Sequence, residues 1–217
     1  MAGNFQDDTR EAEMIELFDL RKDDSQGRSG IDAFLDIDGQ SLPFELKTTS
    51  KGSVTTVRDF GPDHVTKWQN KHWLIGFYIG EDRYYKYASP QFMSTWISSK
   101  AEYIAPDRHM SDLAAAKLDL SDLYAVVGEK ELYSYEDAKK LHKNQYNKVQ
   151  YEELKDLEGG YSPERMLQIF KDRLAYVAQR GSTLNNPHIP FVYFAPLVKI
   201  EENFQEKLRE LVRAELN

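Results

Sequence analysis

The chain has 217 residues, no cysteine and a formal net charge of −8, enough length for one domain with a sizeable core and room for a small appended subdomain. Disulfides and thiolate metal sites are excluded, and the acidic balance argues against a passive DNA-coating protein while remaining compatible with clustered carboxylates in a locally basic cleft. No apolar run approaches the roughly eighteen residues needed to span a bilayer and the N-terminus carries no secretory pattern, so a cytoplasmic location is expected.

In chain order, Asp8-Thr9 is placed to cap a first helix running to about Arg21. Glu11 falls on the face that carries Met14, Ile15 and Phe18. It reads either as an exposed first-turn acid favoured by the helix dipole or as a carboxylate on the buried-facing stripe, directed toward the strands next in the chain. Asp23 to Arg28 reads as a polar turn.

The next segment, Ser29 to Thr49, reads as two short strands joined by a turn at Asp38-Gly39. On the first, Ile31, Ala33, Leu35 and Ile37 share an apolar face, opposite Asp32, Phe34 and Asp36. On the second, Phe44, Leu46 and Thr48 share one face while Glu45, Lys47 and Thr49 share the other. An antiparallel register is expected to place Asp32 across from Lys47 and diagonal to Glu45, with Asp36 nearer Pro43, which selects Asp32 over Asp36. Two acids and a lysine so arranged can hold one Mg2+ beside a scissile phosphate, with Lys47 orienting water or neutralising developing charge. The alternative is a surface hairpin whose Glu45 and Lys47 are merely solvated or paired. Two further acid-x-Lys triplets, Asp137-Ala-Lys139 and Glu153-Leu-Lys155, lie in helix-like surroundings with no strand before them.

The pattern Asp32, twelve intervening residues, then Glu45-Leu-Lys47 resembles the PD-(D/E)xK nuclease superfamily and, within it, type II restriction endonucleases. The likeness covers about a tenth of the chain, and Gly30-Ile31 stands where the motif's proline would be. It implies Asp32, Glu45 and Lys47 as the catalytic set, Asp32 and Glu45 as Mg2+ ligands, and Glu11 as a third ligand, since a carboxylate from such a helix often completes the site. It also implies an α/β fold with a mixed β-sheet flanked by helices, a restriction-endonuclease-like core and a largely helical C-terminal half. The expected organisation is a single nuclease domain, the catalytic core spanning about 5–105 and a helical, DNA-reading portion about 106–217. Double-stranded DNA is the expected substrate and a homodimer the expected assembly, because cutting both strands of a palindrome needs two sites related by a two-fold axis. A cognate DNA methyltransferase is expected in the same system, not as a bound subunit.

After Lys47, the hydroxyl-rich run to Pro62 offers Lys51, Ser53 and Arg58 to a phosphate backbone, with Val54 and Val57 marking a partial strand. A short helix from Asp63 to Trp68 carries Lys67, and with Asn70, Lys71 and His72 just beyond it this cluster reads as DNA-contacting or as a solvated helix end. His64 and His72 lack an acid at ligand spacing and read as structural or DNA-facing. Residues 72–79 form a strongly apolar strand, Tyr84 to Ala88 a second, and Ser89-Pro90 starts a helix.

Residues 107–158 read as mainly helical, with helices over Ala114–Leu123 and Tyr135–Tyr151. Ser162-Pro163-Glu164 starts an amphipathic helix through Ala178. The loop before an expected strand at Phe191–Phe194 carries Arg180, Ser182, Thr183, Asn185, Asn186 and His188. Arg and Asn suit bidentate contacts to guanine and adenine, while the alternative is an ordinary Asn-Pro turn. A final helix, Glu201 to Leu216, sets Phe204, Leu208, Leu211 and Val212 on one face, to pack on its own core or on a second subunit. A structure-specific or repair nuclease of the same fold, or a non-catalytic DNA-binding protein, are the competing readings.

Overall fold

The computed structural model describes residues 3–22, 31–57, 60–181 and 187–216, the side chains of 3–8, 180 and 181 excepted. The chain forms two compact units, residues 1–102 with 185–217, and residues 103–184. The expected division near residue 105 placed everything beyond it in one helical portion; instead the chain returns to the sheet unit at residue 185.

The sheet unit opens with α1 (Gly3–Leu17). This helix starts five residues before the anticipated Asp8-Thr9 cap and stops at Leu17, because Asp19 adopts the left-handed conformation, φ 52°. β1 (Ala33–Ile37) and β2 (Gln40–Thr49) come next, joined by Asp38-Gly39 at φ 49° and 79°. Positive φ at both turn positions is the type I′ geometry that suits a two-residue hairpin. Tight closure pairs Ile37 with Gln40 and Ala33 with Phe44. Continuing that ladder one step sets Asp32 level with Glu45, and Asp36 lies opposite Ser41. The expected pairing of Asp32 with Lys47 was therefore two residues out, a shift that leaves every side chain on its anticipated face.

β3 (Ser53–Thr55) and α2 (Pro62–Trp68) lead into β4 (His72–Ile79), with β5 (Asp82–Ala88) after it. The four-stranded mixed sheet has the order β1-β2-β4-β5, with β2 and β4 parallel and the other pairs antiparallel. This is the expected α/β class, a mixed sheet flanked by helices. On one face Phe44, Leu46, Leu74, Tyr85 and Tyr87 pack with Met14 and Phe18 of the α1 segment and with Leu208 and Val212 of the last helix, Phe204–Leu216. That helix is thus committed to its own core. Gly76 permits the close approach of α1, since a Cβ there would lie 3.3 Å from Met14 Sδ and 2.9 Å from Tyr78 Cε2. On the other face Trp73 meets Trp68 at a ring separation of 5.2 Å and Trp96 at 6.5 Å. Trp96 belongs to α3 (Pro90–Lys117), whose entry is capped by Ser89 Oγ accepting from Phe92 N.

The strand expected at Phe191–Phe194 is a 3₁₀ turn, and the strand is instead β6 (His188–Pro190), paired antiparallel with β3. The spacing of Phe191 and Phe194 fits three residues per turn, and both rings meet Phe77 edge-on.

The second unit carries the C-terminal part of α3 with α4 (Leu120–Val127), α5 (Tyr135–His142), α6 (Lys148–Glu153) and α7 (Pro163–Gly181), which leaves Phe204–Leu216 of the sheet unit as α8. Its core is Leu123, Tyr133, Ala138, Tyr151, Tyr161, Met166 and Ile169. The helices anticipated over 114–123 and 135–151 are each split. Asp119 caps a fresh start, and Lys143 and Asn144 take positive φ before the Asn147 cap. Asp137-Ala-Lys139 sits on α5 and Glu153-Leu-Lys155 at the end of α6, so neither triplet has a strand context. No helix among the described residues is long and apolar enough to cross a membrane.

His72 makes one consequence of this packing measurable. Its ring is stacked on Phe44, is 5 % exposed, and shares a 2.7 Å hydrogen bond between Nδ1 and Tyr87 Oη. Burial, opposed by Glu215, holds the imidazole down at about 4 against 6.5 in an unfolded chain. A folded value below the unfolded one contributes stability that is present above pH 6.5 and lost as pH falls toward 4. The contribution is on the order of 2 kcal/mol. In urea titrations His72→Gln is expected to flatten the fall in unfolding free energy across that window, and an unchanged slope would contradict the assignment.

Candidate active site

The end of the β1–β2 hairpin concentrates charge where a sheet face turns inward. Strand alternation points Glu45 and Lys47 to the face that carries Trp73 and Ile75, their parallel partners on β4. Glu45 is consequently 2 % exposed above a tryptophan-lined floor. A carboxylate taken that far from water has to be paired. Lys47 Nζ lies 2.8 Å from Glu45 Oε1, and Lys71 Nζ donates to Glu45 Oε2 at 2.8 Å. Burial raises the Glu45 pKa, but Lys47 and Lys71 outweigh it and hold the carboxyl well below the usual range. Burial also disfavours the Lys47 ammonium, and Glu45, Asp32 and Glu11 more than reverse that, pushing its pKa up.

Asp32 joins from just before β1. It accepts a hydrogen bond from Leu46 N at 2.9 Å, and the same oxygen, Oδ2, lies 3.6 Å from Lys47 Nζ. Lys47 Nζ also donates to the Leu46 carbonyl at 2.8 Å. Three oxygens, Asp32 Oδ2, Glu45 Oε1 and Leu46 O, therefore surround one ammonium. Hard anionic and carbonyl oxygens about one cationic point are the donor set a divalent cation such as Mg2+ uses, with water completing its shell. The residues present fit such a cation, the Lys47 ammonium standing in for it. Asp36 is held elsewhere: Arg21 Nε donates to it at 2.8 Å, and that bond lowers its carboxyl to about 2.

Glu11 lies in the third turn of α1 rather than the first, because the helix begins at Gly3. It lines a cleft of about 430 Å³ together with Lys47, Lys51, Ser53, Thr55 and His188. Among the described residues no three His, Asp or Glu side chains gather at one point, so Glu11 faces Lys47 without joining Asp32 and Glu45 in a cluster of acids. The hydroxyl-rich wall is pinned from within: Thr49 Oγ1 donates to Ser53 O at 2.7 Å and accepts from Lys51 N at 3.1 Å. That wall is continued by β6, whose His188, 133 residues further on, is the cross-strand partner of Thr55 and sets Nδ1 3.2 Å from Thr55 Oγ1.

Lys67, on α2, is within electrostatic reach of the pair; burial and the like charge of Lys71 lower its pKa, while Glu45 and Asp32 oppose them. Of the residues anticipated to touch DNA, Lys51, Ser53 and His188 share the cleft, and Lys67 stands beside the acids. Arg58, Thr183, Asn185 and Asn186 lie outside the described residues, as does the side chain of Arg180. Two groups escaped the sequence reading: Lys71, expected either to contact DNA or to end a solvated helix, and the Leu46 carbonyl. Continuing the alternation of the strand His72–Ile79 back one step would have put Lys71 on the Trp73 face, although nothing local shows that β4 pairs with β2. No family model matches the chain, and no curated protein matches its sequence.

The charge set predicts its own fragility. Glu45→Gln keeps the shape but leaves two ammonium groups, Lys47 and Lys71, over the tryptophans with no carboxylate between them. Breaking a buried pair in this way is expected to cost about 3 kcal/mol or more. Guanidinium denaturation checks it, and a loss below about 1 kcal/mol would show that Glu45 is not what balances the lysines.

Proposed function

We propose that this protein is a divalent-cation-dependent endodeoxyribonuclease, and specifically a type II restriction endonuclease acting on double-stranded DNA as a homodimer. The observation that carries the reading is the convergence of Asp32 Oδ2, Glu45 Oε1 and the Leu46 carbonyl on the Lys47 ammonium, at the edge of a hydroxyl-lined basic cleft. It is supported by the resemblance of Asp32 and Glu45-Leu-Lys47 to the PD-(D/E)xK motif and by the mixed sheet that presents them.

In this reading Asp32, Glu45 and the Leu46 carbonyl would hold Mg2+. When bound, the cation polarises a phosphodiester and lowers the pKa of an attacking water. Lys47 would yield that point to the cation and stand next to it, where its charge would offset that developing on the phosphate or orient the water. Lys51, Ser53 and Thr55 grip the backbone next to the scissile phosphate, since backbone contacts fix position without reading sequence. His188 stands beside Thr55 on β6, and the segment before it, with Asn185 and Asn186, supplies the groups suited to base edges. A cognate methyltransferase would protect the host's own sites.

One observation favours a second reading: both Glu45 oxygens are occupied by lysines of this chain, which is also what a non-catalytic DNA-binding relative with a neutralised acid pair would show. Digestion of phage DNA with Mg2+, with the ends then sequenced, separates the readings. Discrete fragments sharing one end sequence are expected for the restriction enzyme. A smear or junction-only cutting points to another nuclease, and binding without cutting to the second reading. Asp32→Asn and Lys47→Ala are each expected to lower cleavage at least a hundredfold while gel-shift affinity for the same DNA changes less than about fivefold. Full activity in either variant would sink the mechanism.

A further inference from the structure

Lys71 is the residue whose position the cleavage chemistry does not explain by itself. Its side chain is 4 % exposed, so it cannot reach a phosphate from the cleft. Its ammonium donates to Glu45 Oε2 at 2.8 Å, whereas Lys47 sits on the other oxygen of that carboxylate, Oε1. Lysine is costly to bury, and a second cation on a carboxylate already paired by Lys47 is a poor way to gain stability. The backbone around it is held at both ends: Lys71 N donates to Trp68 O at the end of α2, and His72 starts β4 in parallel register with Phe44. The ammonium is thereby fixed relative to β2, the strand that carries Glu45.

A carboxylate offers two oxygens and can turn about its last bond to present either or both. With Oε2 held by Lys71, Glu45 has one oxygen, Oε1, left to face the point where Asp32 Oδ2 and Leu46 O converge. We propose that Lys71 is a positioning residue that confines Glu45 to single-oxygen contact with the divalent cation, and so sets where that cation sits relative to Asp32. The inference rests on the nuclease reading and adds to it the reason for a second lysine. Freed of Lys71, Glu45 would chelate the cation with both oxygens and lose a neighbouring positive charge. Cation binding should then tighten while the cation moves off the place where water and phosphate meet.

That opposite movement of binding and turnover is what a merely structural lysine would not produce. Lys71→Met keeps the stem volume without the charge, and Lys71→Arg keeps the charge and its donors. Mn2+ affinity is measured by electron paramagnetic resonance in the absence of DNA, and single-turnover cleavage is measured with saturating Mg2+ and DNA. For Lys71→Met, Mn2+ affinity is expected to rise about tenfold, the scale expected for removing one nearby charge at an intermediate effective dielectric. The cleavage rate is expected to fall at least tenfold, and Lys71→Arg is expected to recover most of both. Parallel loss of binding, cleavage and thermal stability would assign Lys71 a structural role and overturn the proposal, as would cleavage by Lys71→Met at the wild-type rate. The wild-type protein decides the underlying reading separately. If it binds no Mn2+ and cuts no DNA, the nuclease reading fails and the proposal with it; if it does both, the variants alone decide the role of Lys71.

Discussion

A carboxylate placed 2 % exposed on a sheet face lined by tryptophan sets the terms for everything around it. Glu45 can exist there only with positive charge supplied from fixed directions, because in such surroundings an unpaired charge costs far more than any packing gain repays. One ammonium comes from its own strand two residues on, and the other from the residue before β4. The second is available only if β4 lies beside β2 and runs parallel to it. Parallel neighbours cannot be joined by a tight turn, so the chain must make a crossover. Residues 50–71 are that crossover. They carry Lys51, Ser53 and Thr55 in the cleft, Lys67 near the acids, and Trp68 in the floor. The connection that the strand order requires thus adds a cleft wall and the second lysine, Lys71, to the acids and the lysine that the hairpin carries.

What could be read from the sequence was what is local. Alternation over Ala33–Ile37 and Phe44–Lys47 assigned the faces correctly, and Asp38-Gly39 made the turn that two positive φ values demand. The continuous apolar run His72–Ile79 marked the central strand without showing its partner, since a strand buried on both faces has no pattern that names its neighbours. That gap is why Lys71 read as DNA-contacting or as a helix end, and not as a partner of Glu45. The hairpin register was missed by two residues, an error the period-2 pattern cannot expose, because a shift of two changes no side chain's face. Phe191–Phe194 misled in another way. Consecutive apolar residues fit a strand or a single tight turn equally well; the bond from Ala195 N to Val192 O marks the turn, which sets both rings edge-on to Phe77.

Asp32 and Asp36 are set apart by a feature that the register alone did not supply. Both acids are on the same side of β1, but Arg21 draws Asp36 into an exposed pair, whereas Asp32 is captured by the Leu46 amide. Competition between partners, rather than position along the strand, separates them. Glu11 shows the converse. Its helix starts earlier than its apparent cap, so it sits in the third turn and not the first, and it lines the cleft.

The β3–β6 pairing has a temporal side. Residues 103–184 are inserted within the sheet unit, so the chain leaves that unit after α3 begins and returns only with β6 and α8. On a ribosome, β1 to β5 emerge early, yet His188 and the core residues Leu208 and Val212 appear only after the whole insert has been made. The cleft therefore has an open side throughout most of synthesis. A nascent chain carries its acids and lysines long before it can enclose anything between them.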